Sequence, residues 1–434
     1  MAQQASFLQG LAGRIRFGLI DLARGTRSLA LLDELEAIAF ESPEALRARQ
    51  RALLDNYTAL VRKASPLYQH YERFEQFPVI DKAYANAHRD ALSNPFYRGK
   101  VVRKKTGGST GEPFVYATGV EAQSYLWAAI LLSWKVAGYQ LGEPVAFVAG
   151  TALFGTGYKQ KIYYKLMNVH MFSAFDMSAA RMDDYGAGIA AARCRLLYGY
   201  ASAIHQVARH LLAGARRPHF SLRGIVCTAE VLTEAMRADI EQAFGVPCFS
   251  QYGCNDAGVS AFECERRQGF HLITQRSYQE VLEGGRLVST DLANDAFFLP
   301  RYDTGDLVSM AGQPCACGRG FPLIDKVVGR ANDMVADSAG NAVHSEFFTH
   351  LFREDKRIAA FQVLYDADDL VVIVHCADPG FTHPAYLERI RAALAFRTVS
   401  FAVNQPFVTI KNGKHRFVMK VEQVASALGQ SAAS

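Results

Sequence analysis

Thr106-Gly107-Gly108-Ser109-Thr110-Gly111-Glu112-Pro113 packs three glycines and three hydroxyl side chains into one short loop. The basic run Arg103-Lys104-Lys105 precedes it, and the strand-like Phe114-Val115-Tyr116-Ala117-Thr118 follows. Glycine lets a backbone loop approach a polyphosphate closely and point its N–H groups inward. The hydroxyls add donors and a candidate Mg²⁺ ligand, and the lysines add positive charge. The stretch is neither G-x-x-x-x-G-K-[ST] nor G-x-G-x-x-G. Alone, such a loop is more often an ordinary surface turn, so its meaning depends on what lies downstream.

The surrounding pattern is α-rich up to about residue 95, with apolar residues at helical spacing, as in Leu31-Leu32-Asp33-Glu34-Leu35-Glu36. Helices are expected over 121–139, 202–212 and 233–244, with short apolar strands between them such as 144–149. That alternation predicts an α/β fold with mostly parallel strands. Glu280-Val281-Leu282 and Arg286-Leu287-Val288 flank Gly284-Gly285 and predict a hairpin. Beyond Asp333 a smaller ββαβ unit is expected, with strands at 361–365, 370–374 and 407–410 and a helix over 384–396.

A chain of 434 residues, half of them hydrophobic, exceeds what one core usually serves, so two domains are expected. The 47 basic and 42 acidic residues are interspersed, and the net charge of +5 gives no ground for nucleic-acid binding. No segment reaches the roughly 18 apolar residues of a membrane span. Phe7, Leu8, Leu11 and Ile15 alternate with Arg14 and Arg16 as an amphipathic helix, without the apolar block of a secretory signal. The expected location is the cytoplasm.

Five further segments follow the glycine loop in order. Thr228-Ala229-Glu230 closes the apolar Gly224-Ile225-Val226-Cys227, and Tyr252-Gly253-Cys254-Asn255-Asp256 follows Pro247-Cys248-Phe249-Ser250. Then come Arg301-Tyr302-Asp303-Thr304-Gly305-Asp306-Leu307 and Val328-Gly329-Arg330-Ala331-Asn332-Asp333-Met334. Asn412-Gly413-Lys414-His415-Arg416 lies near the end. Together these resemble the adenylate-forming superfamily of acyl-CoA synthetases. Within it they look most like the phenylacetate-CoA ligase branch, with its relatives near capsular polysaccharide genes and its deazaflavin-nucleotidylating synthetases. The resemblance runs from about Phe77 to Arg416.

The resemblance implies a large N-terminal adenylation core, residues 1–330, with mixed sheets and helices, and a small mobile C-terminal α+β domain, residues 331–434. It implies ATP-dependent activation of a carboxylic acid through an acyl-adenylate, followed by transfer to a thiol, with CoA expected as acceptor and an aryl or similar acid as substrate. A carrier-protein thiol, an amine, nucleotidyl transfer alone, or a non-catalytic nucleotide-binding scaffold remain alternatives, and a homodimer is compatible with it. Residue by residue, Thr106, Gly107, Gly108, Ser109, Thr110 and Gly111 would hold the pyrophosphate end of ATP. Tyr252, with Gly253 beside it, would stack on adenine, and Asp256 would help bind Mg²⁺, one methylene shorter than the family's usual Glu. Asp306 would hold the ribose hydroxyls, and Arg330 the ribose or phosphate. Glu230, beside Ala229, would contact the nucleotide or cap the helix near Thr233. Lys414 would be the catalytic lysine, with Lys411 and Lys420 as competitors. Asn332 stands where the family hinge has Asp or Lys, with Asp333 beside it. Phe154-Gly155-Thr156-Gly157 and Tyr198-Gly199-Tyr200 are candidate acyl-pocket segments.

Eight cysteines in a chain of this character argue against structural disulfides. Cys315-Ala316-Cys317 sits on a Gly/Pro-rich loop, and Cys264 is followed by His271. Three soft thiolates and an imidazole form a set suited to tetrahedral Zn²⁺, structural because no position stays open, with reduced thiols beside a core histidine as the alternative. The resembled branch shows the same Glu-Cys, Gly-x-His and Cys-x-Cys-Gly-Arg pieces.

Overall fold

The computed structural model describes residues 2–105, 114–149, 158–174, 177–214, 218–230, 232, 234–327, 334–344, 346–352, 355, 357–376, 378, 381, 383–408, 418–421 and 424. The N-terminal part is helical, as expected: Ala2–Arg24, Ser28–Ile38 and Pro43–Ala64 come first. The third helix starts where it does because Ser42 Oγ accepts the Ala45 N–H at 3.2 Å and Pro43 occupies the first turn. It buries Leu46, Leu54, Tyr57 and Val61 at helical spacing.

A two-stranded ribbon, β1 (Val102–Lys105) and β2 (Val115–Thr118), brackets the glycine loop. The large sheet uses β3 (Val145–Ala149), β4 (Val169–Ser173), β5 (Leu196–Tyr200), β6 (Gly224–Thr228), β7 (Cys248–Cys254), β8 (Val259–Glu263), β9 (Phe270–Leu272), β10 (Ser277–Leu282), β11 (Arg286–Asp291), β12 (Tyr302–Met310) and β13 (Leu323–Val327). Their order is β10-β11-β12-β13-β9-β8-β7-β6-β5-β3-β4. From β4 to β7 the strands are parallel, each return made through a helix. From β7 to β10 every pairing is antiparallel. The expectation of mostly parallel strands therefore holds for half the sheet. The connections after β7 and β8 are too short for a crossover, which needs about a dozen residues. The Gly284-Gly285 hairpin forms as expected, with φ of 73° and 79° at the two glycines.

The C-terminal part holds a small ribbon, β14 (Met334–Ala336) with β15 (Ala342–His344), and a second sheet. That sheet runs β18 (Thr398–Val403), β17 (Asp369–Cys376), β16 (Ile358–Tyr365), β19 (Val418–Lys420). The helix is Pro384–Ala393. The strand expected over 407–410 is replaced by β18. At Val408 the backbone N–H and C=O are instead bonded by the Gln362 side chain, at 2.8 and 2.9 Å. Residues 409 and 410 lie outside the described set, as does the expected domain boundary at 330/331. Val335, Phe348, Val363, Val372 and Ile390 form a core distinct from those of the large sheet. Among the described residues, no helix is long and apolar enough to cross a membrane.

Candidate nucleotide site and metal centre

The candidate site forms at the C-terminal ends of β6 and β7, where the sheet changes from parallel to antiparallel. β6 ends at Thr228, and Ala229 then takes φ of 68°, a left-handed conformation costly for a residue with a Cβ. That turn brings back Glu230, whose Oε2 accepts the Ser202 N–H at 2.7 Å. Glu230 thus caps the helix Ala201–Ala213.

β7 continues past Ser250 through Tyr252, so the tyrosine motif begins inside a strand. Opposite it, β12 carries an irregularity. Val288 pairs with Asp303 but Arg286 with Leu307, which inserts extra residues around Thr304, Gly305 and Asp306. Thr304 Oγ1 donates to the Leu287 carbonyl at 2.8 Å and accepts the Asp306 N–H at 3.1 Å. The bulge turns Asp306 toward β7, where Tyr252 donates its hydroxyl to the Asp306 carboxylate at 2.7 Å. Burial, reinforced by that carboxylate, pushes the Tyr252 hydroxyl well above its ordinary range, so it stays a donor.

Ala229, Glu230, Tyr252, Gly253 and Asp306 line one cavity of about 650 Å³. Five motif residues separated by up to 77 positions in sequence (306 minus 229) therefore meet. The cavity is also lined by Arg237, Glu263, Arg267, Gln268, Gly269, Phe270, Asp325 and Lys326, which the sequence did not single out. A buried ion pair closes its floor: Arg237 donates to both Glu263 oxygens, at 2.8 and 3.1 Å, and Ser250 N–H donates to the same carboxylate at 2.6 Å. No local period links Arg237 to Glu263, which explains the omission. Arg237→Lys keeps the charge and loses the two-pronged geometry, so it should cost about 1–2 kcal/mol of stability. Urea unfolding of the two proteins checks this.

Asp256 stands outside the cavity lining. Its carboxylate accepts the Cys254 thiol at 3.0 Å and the Tyr302 hydroxyl at 3.2 Å. Lys104, on β1, reaches the same neighbourhood. Burial, helped by Arg276 and opposed by Asp291 and Asp256, pushes its amine down to about 7.

Thr106 to Gly111, Arg330, Asn332, Asp333, Lys411 and Lys414 lie outside the described residues, as do residues 150–157. Of the acyl-pocket candidates, Tyr198 is buried and packs on Phe147 at 5.1 Å and on Trp134 at 5.3 Å between ring centres. Its hydroxyl donates to Gln251 Oε1 at 3.0 Å. These rings fill the core between sheet and helix.

The cysteine and histidine set does converge. The candidate ligand atoms of Cys264, His271, Cys315 and Cys317 all lie within 4.8 Å of one another. Cys264 Sγ is 3.5 Å from Cys315 Sγ, and Cys317 Sγ is 3.3 Å from His271 Nε2. Tetrahedral zinc, with bonds of about 2.3 Å to sulfur and 2.0–2.1 Å to nitrogen, would need ligand separations of about 3.6–3.8 Å. The donor set and its spacing fit such an ion. Arg266 N–H donates to Cys264 Sγ and Arg319 N–H to Cys317 Sγ, both at 3.4 Å, an arrangement that supports thiolate. Burial, with Arg319 adding, pushes the His271 imidazole down to about 4, so it is neutral and able to ligate at neutral pH.

Against known proteins, no family profile matches the chain. Protein CapK of Staphylococcus aureus is 26% identical over 343 residues, covering 76% of this chain and 75% of CapK. The phenylacetate-coenzyme A ligase of Thermus thermophilus is 29% identical over 186 residues, 39% of this chain and 42% of that ligase. Among solved structures, 2-hydroxyisobutyryl-CoA ligase in its postadenylation state superposes with a TM-score of 0.54 at 16% identity, covering 89% of this chain and 93% of that one. That similarity shows a shared fold. With the ordered motifs and the cavity that gathers them, the chain is similar to the phenylacetate-CoA-ligase-like members of the adenylate-forming superfamily of ATP-dependent ligases.

Proposed function

We propose that the chain activates a carboxylic acid with ATP and passes the acyl group to the thiol of CoA. The observation that carries this reading is the hydrogen bond from Tyr252 to Asp306 inside the cavity shared with Ala229, Glu230 and Gly253. It presents an aromatic face and a carboxylate side by side, the pair needed to hold a base and its ribose. In the first step a carboxylate oxygen attacks the α-phosphorus of ATP, the bond to the β-phosphate breaks, and pyrophosphate leaves with the electron pair. In the second, the CoA thiolate attacks the acyl carbonyl and AMP leaves. Thr106 to Gly111 would bind the pyrophosphate end, Arg330 the ribose or phosphate, and Lys414 the α-phosphate. Asp256 would hold Mg²⁺, which offsets the triphosphate charge. Similarity to phenylacetate-coenzyme A ligases favours an aryl acid. None of the eight cysteines is in a disulfide, which suits a reducing compartment, and the cytoplasm is the proposed setting.

The test is pyrophosphate release and thioester formation over a panel of aryl and aliphatic acids, with and without CoA. The expected result is a thioester from an aryl acid that forms only when CoA is present. Release of pyrophosphate with no thioester would remove CoA as acceptor.

Cys264, His271, Cys315 and Cys317 are proposed to hold one structural Zn²⁺. Protein purified without added metal should contain about one zinc per chain. Cys317→Ser should lower the melting temperature by about 5 °C or more. Less than about 0.2 zinc per chain, or zinc retained after both Cys315 and Cys317 are replaced, contradicts the site.

A further inference from the structure

The metal set and the nucleotide cavity share the same stretch of chain. Segment 264–271 carries a metal ligand at each end, Cys264 and His271, and its interior residues Arg267 to Phe270 form one wall of the cavity. The other two ligands, Cys315 and Cys317, precede β13, whose Asp325, Lys326 and Val327 line the same cavity. A bridging ion would therefore tie together two lengths of chain that both face the nucleotide.

The contacts inside this unit are tight. β9 pairs with β13 through His271 with Leu323 and Phe270 with Ile324. Gly269 sits at φ of 127°, where a Cβ would come within 2.3 Å of the Ile324 carbonyl oxygen, so the segment is pressed onto β13. Gln268 Oε1 accepts the Ala316 N–H at 3.0 Å, which joins the wall to the Cys-Ala-Cys loop. Phe270, the residue before His271, meets the Tyr252 ring edge-on at 6.3 Å and 68°. Tyr252 in turn holds Asp306.

We infer that the metal is coupled to nucleotide affinity: by anchoring His271 it holds Phe270 against Tyr252, and so sets the position of the Tyr252–Asp306 pair for ATP. Phe270 is then a positioning residue. The inference rests on the nucleotide site and the zinc set proposed above. It differs from a purely structural metal, whose loss lowers stability and leaves the ATP affinity of the folded protein unchanged. Coupling is reciprocal, so ATP must tighten zinc by the factor by which zinc tightens ATP.

The test is equilibrium dialysis of ATP, without any acid, on zinc-loaded, chelator-stripped and zinc-reloaded protein, with circular dichroism on each sample. Stripping should weaken ATP binding about 10-fold while the dichroism holds, reloading should restore it, and ATP should shift the zinc partition against a chromophoric chelator by a similar factor. Zinc-loaded Phe270→Ala should keep its zinc, bind ATP about 10-fold more weakly, and lose the effect of ATP on the partition. If the stripped chain unfolds, the partition on loaded wild-type and Phe270→Ala protein decides. Equal ATP affinity with and without zinc, or a partition shift undiminished in Phe270→Ala, overturns the coupling. Protein that contains no zinc overturns the site itself, and ATP that binds neither form overturns the nucleotide reading.

Discussion

Lys414→Ala should bind ATP nearly as well as the parent protein and form the acyl-adenylate about 100-fold more slowly. Attack on the α-phosphorus gathers negative charge on the phosphate oxygens as pyrophosphate departs. A cation already placed there stabilises the transition state more than bound ATP, so its loss falls on the rate rather than on affinity. Removing one such donor typically costs about 10²–10³ in rate. Gly413-Lys414 is proposed as the counterpart of the C-terminal Gly-Lys pair of the resembled family. Lys420, an exposed residue at the end of β19, is the control, and Lys420→Ala should change the rate by less than about 3-fold, as surface charges usually do. Single-turnover formation of AMP from ATP and acid measures both variants. Loss of activity in Lys420→Ala with full activity in Lys414→Ala would exchange the two assignments.

Asp306→Ala should raise the KM for ATP by about 100-fold. A carboxylate that accepts both ribose hydroxyls makes two charge-assisted bonds, and losing them costs about 3 kcal/mol after exchange with water. The same substitution leaves the Tyr252 hydroxyl without the acceptor it has at 2.7 Å. The more specific readout is the sugar. Parent protein should prefer ATP over 2′-deoxy-ATP, and Asp306→Ala should lose most of that preference. Asp306→Asn should lie between the two, since it accepts hydrogen bonds without the charge. An undiminished preference in Asp306→Ala would reduce Asp306 to a residue that shapes the bulge of β12.

What the sequence made legible was whatever is written in local pattern or in a motif. The helical N-terminus follows from apolar spacing, the β10–β11 hairpin from Gly284-Gly285, and the clustering of Cys264, His271, Cys315 and Cys317 from residue chemistry. The motifs named Ala229, Glu230, Tyr252, Gly253 and Asp306, and the structure gathers them in one cavity. What escaped was longer in range. That Asp306 faces Tyr252 depends on a register shift between β11 and β12, which Tyr302 to Leu307 does not announce by itself. Arg237, on the helix Glu234–Phe244, meets Glu263 of β8 only because that helix packs against β7, and Phe270 of β9 meets Tyr252 of β7 only because both strands flank β8. β18 was within reach, since Val399, Phe401 and Val403 alternate with small or polar residues at period two, and the apolar residues at 407–410 competed with it. The motif leaves Glu230 as a nucleotide contact or a cap of the helix near Thr233, and only the fold brings its carboxylate to the Ser202 N–H.

The most direct test of the adenylate chemistry is exchange of labelled pyrophosphate into ATP, with an aryl acid present and every thiol left out. The account predicts exchange that requires the acid, continues without CoA, and falls by about 100-fold or more in Lys414→Ala. Exchange that does not depend on any acid, or none at all with acids that the protein converts to thioesters, would contradict an acyl-adenylate intermediate.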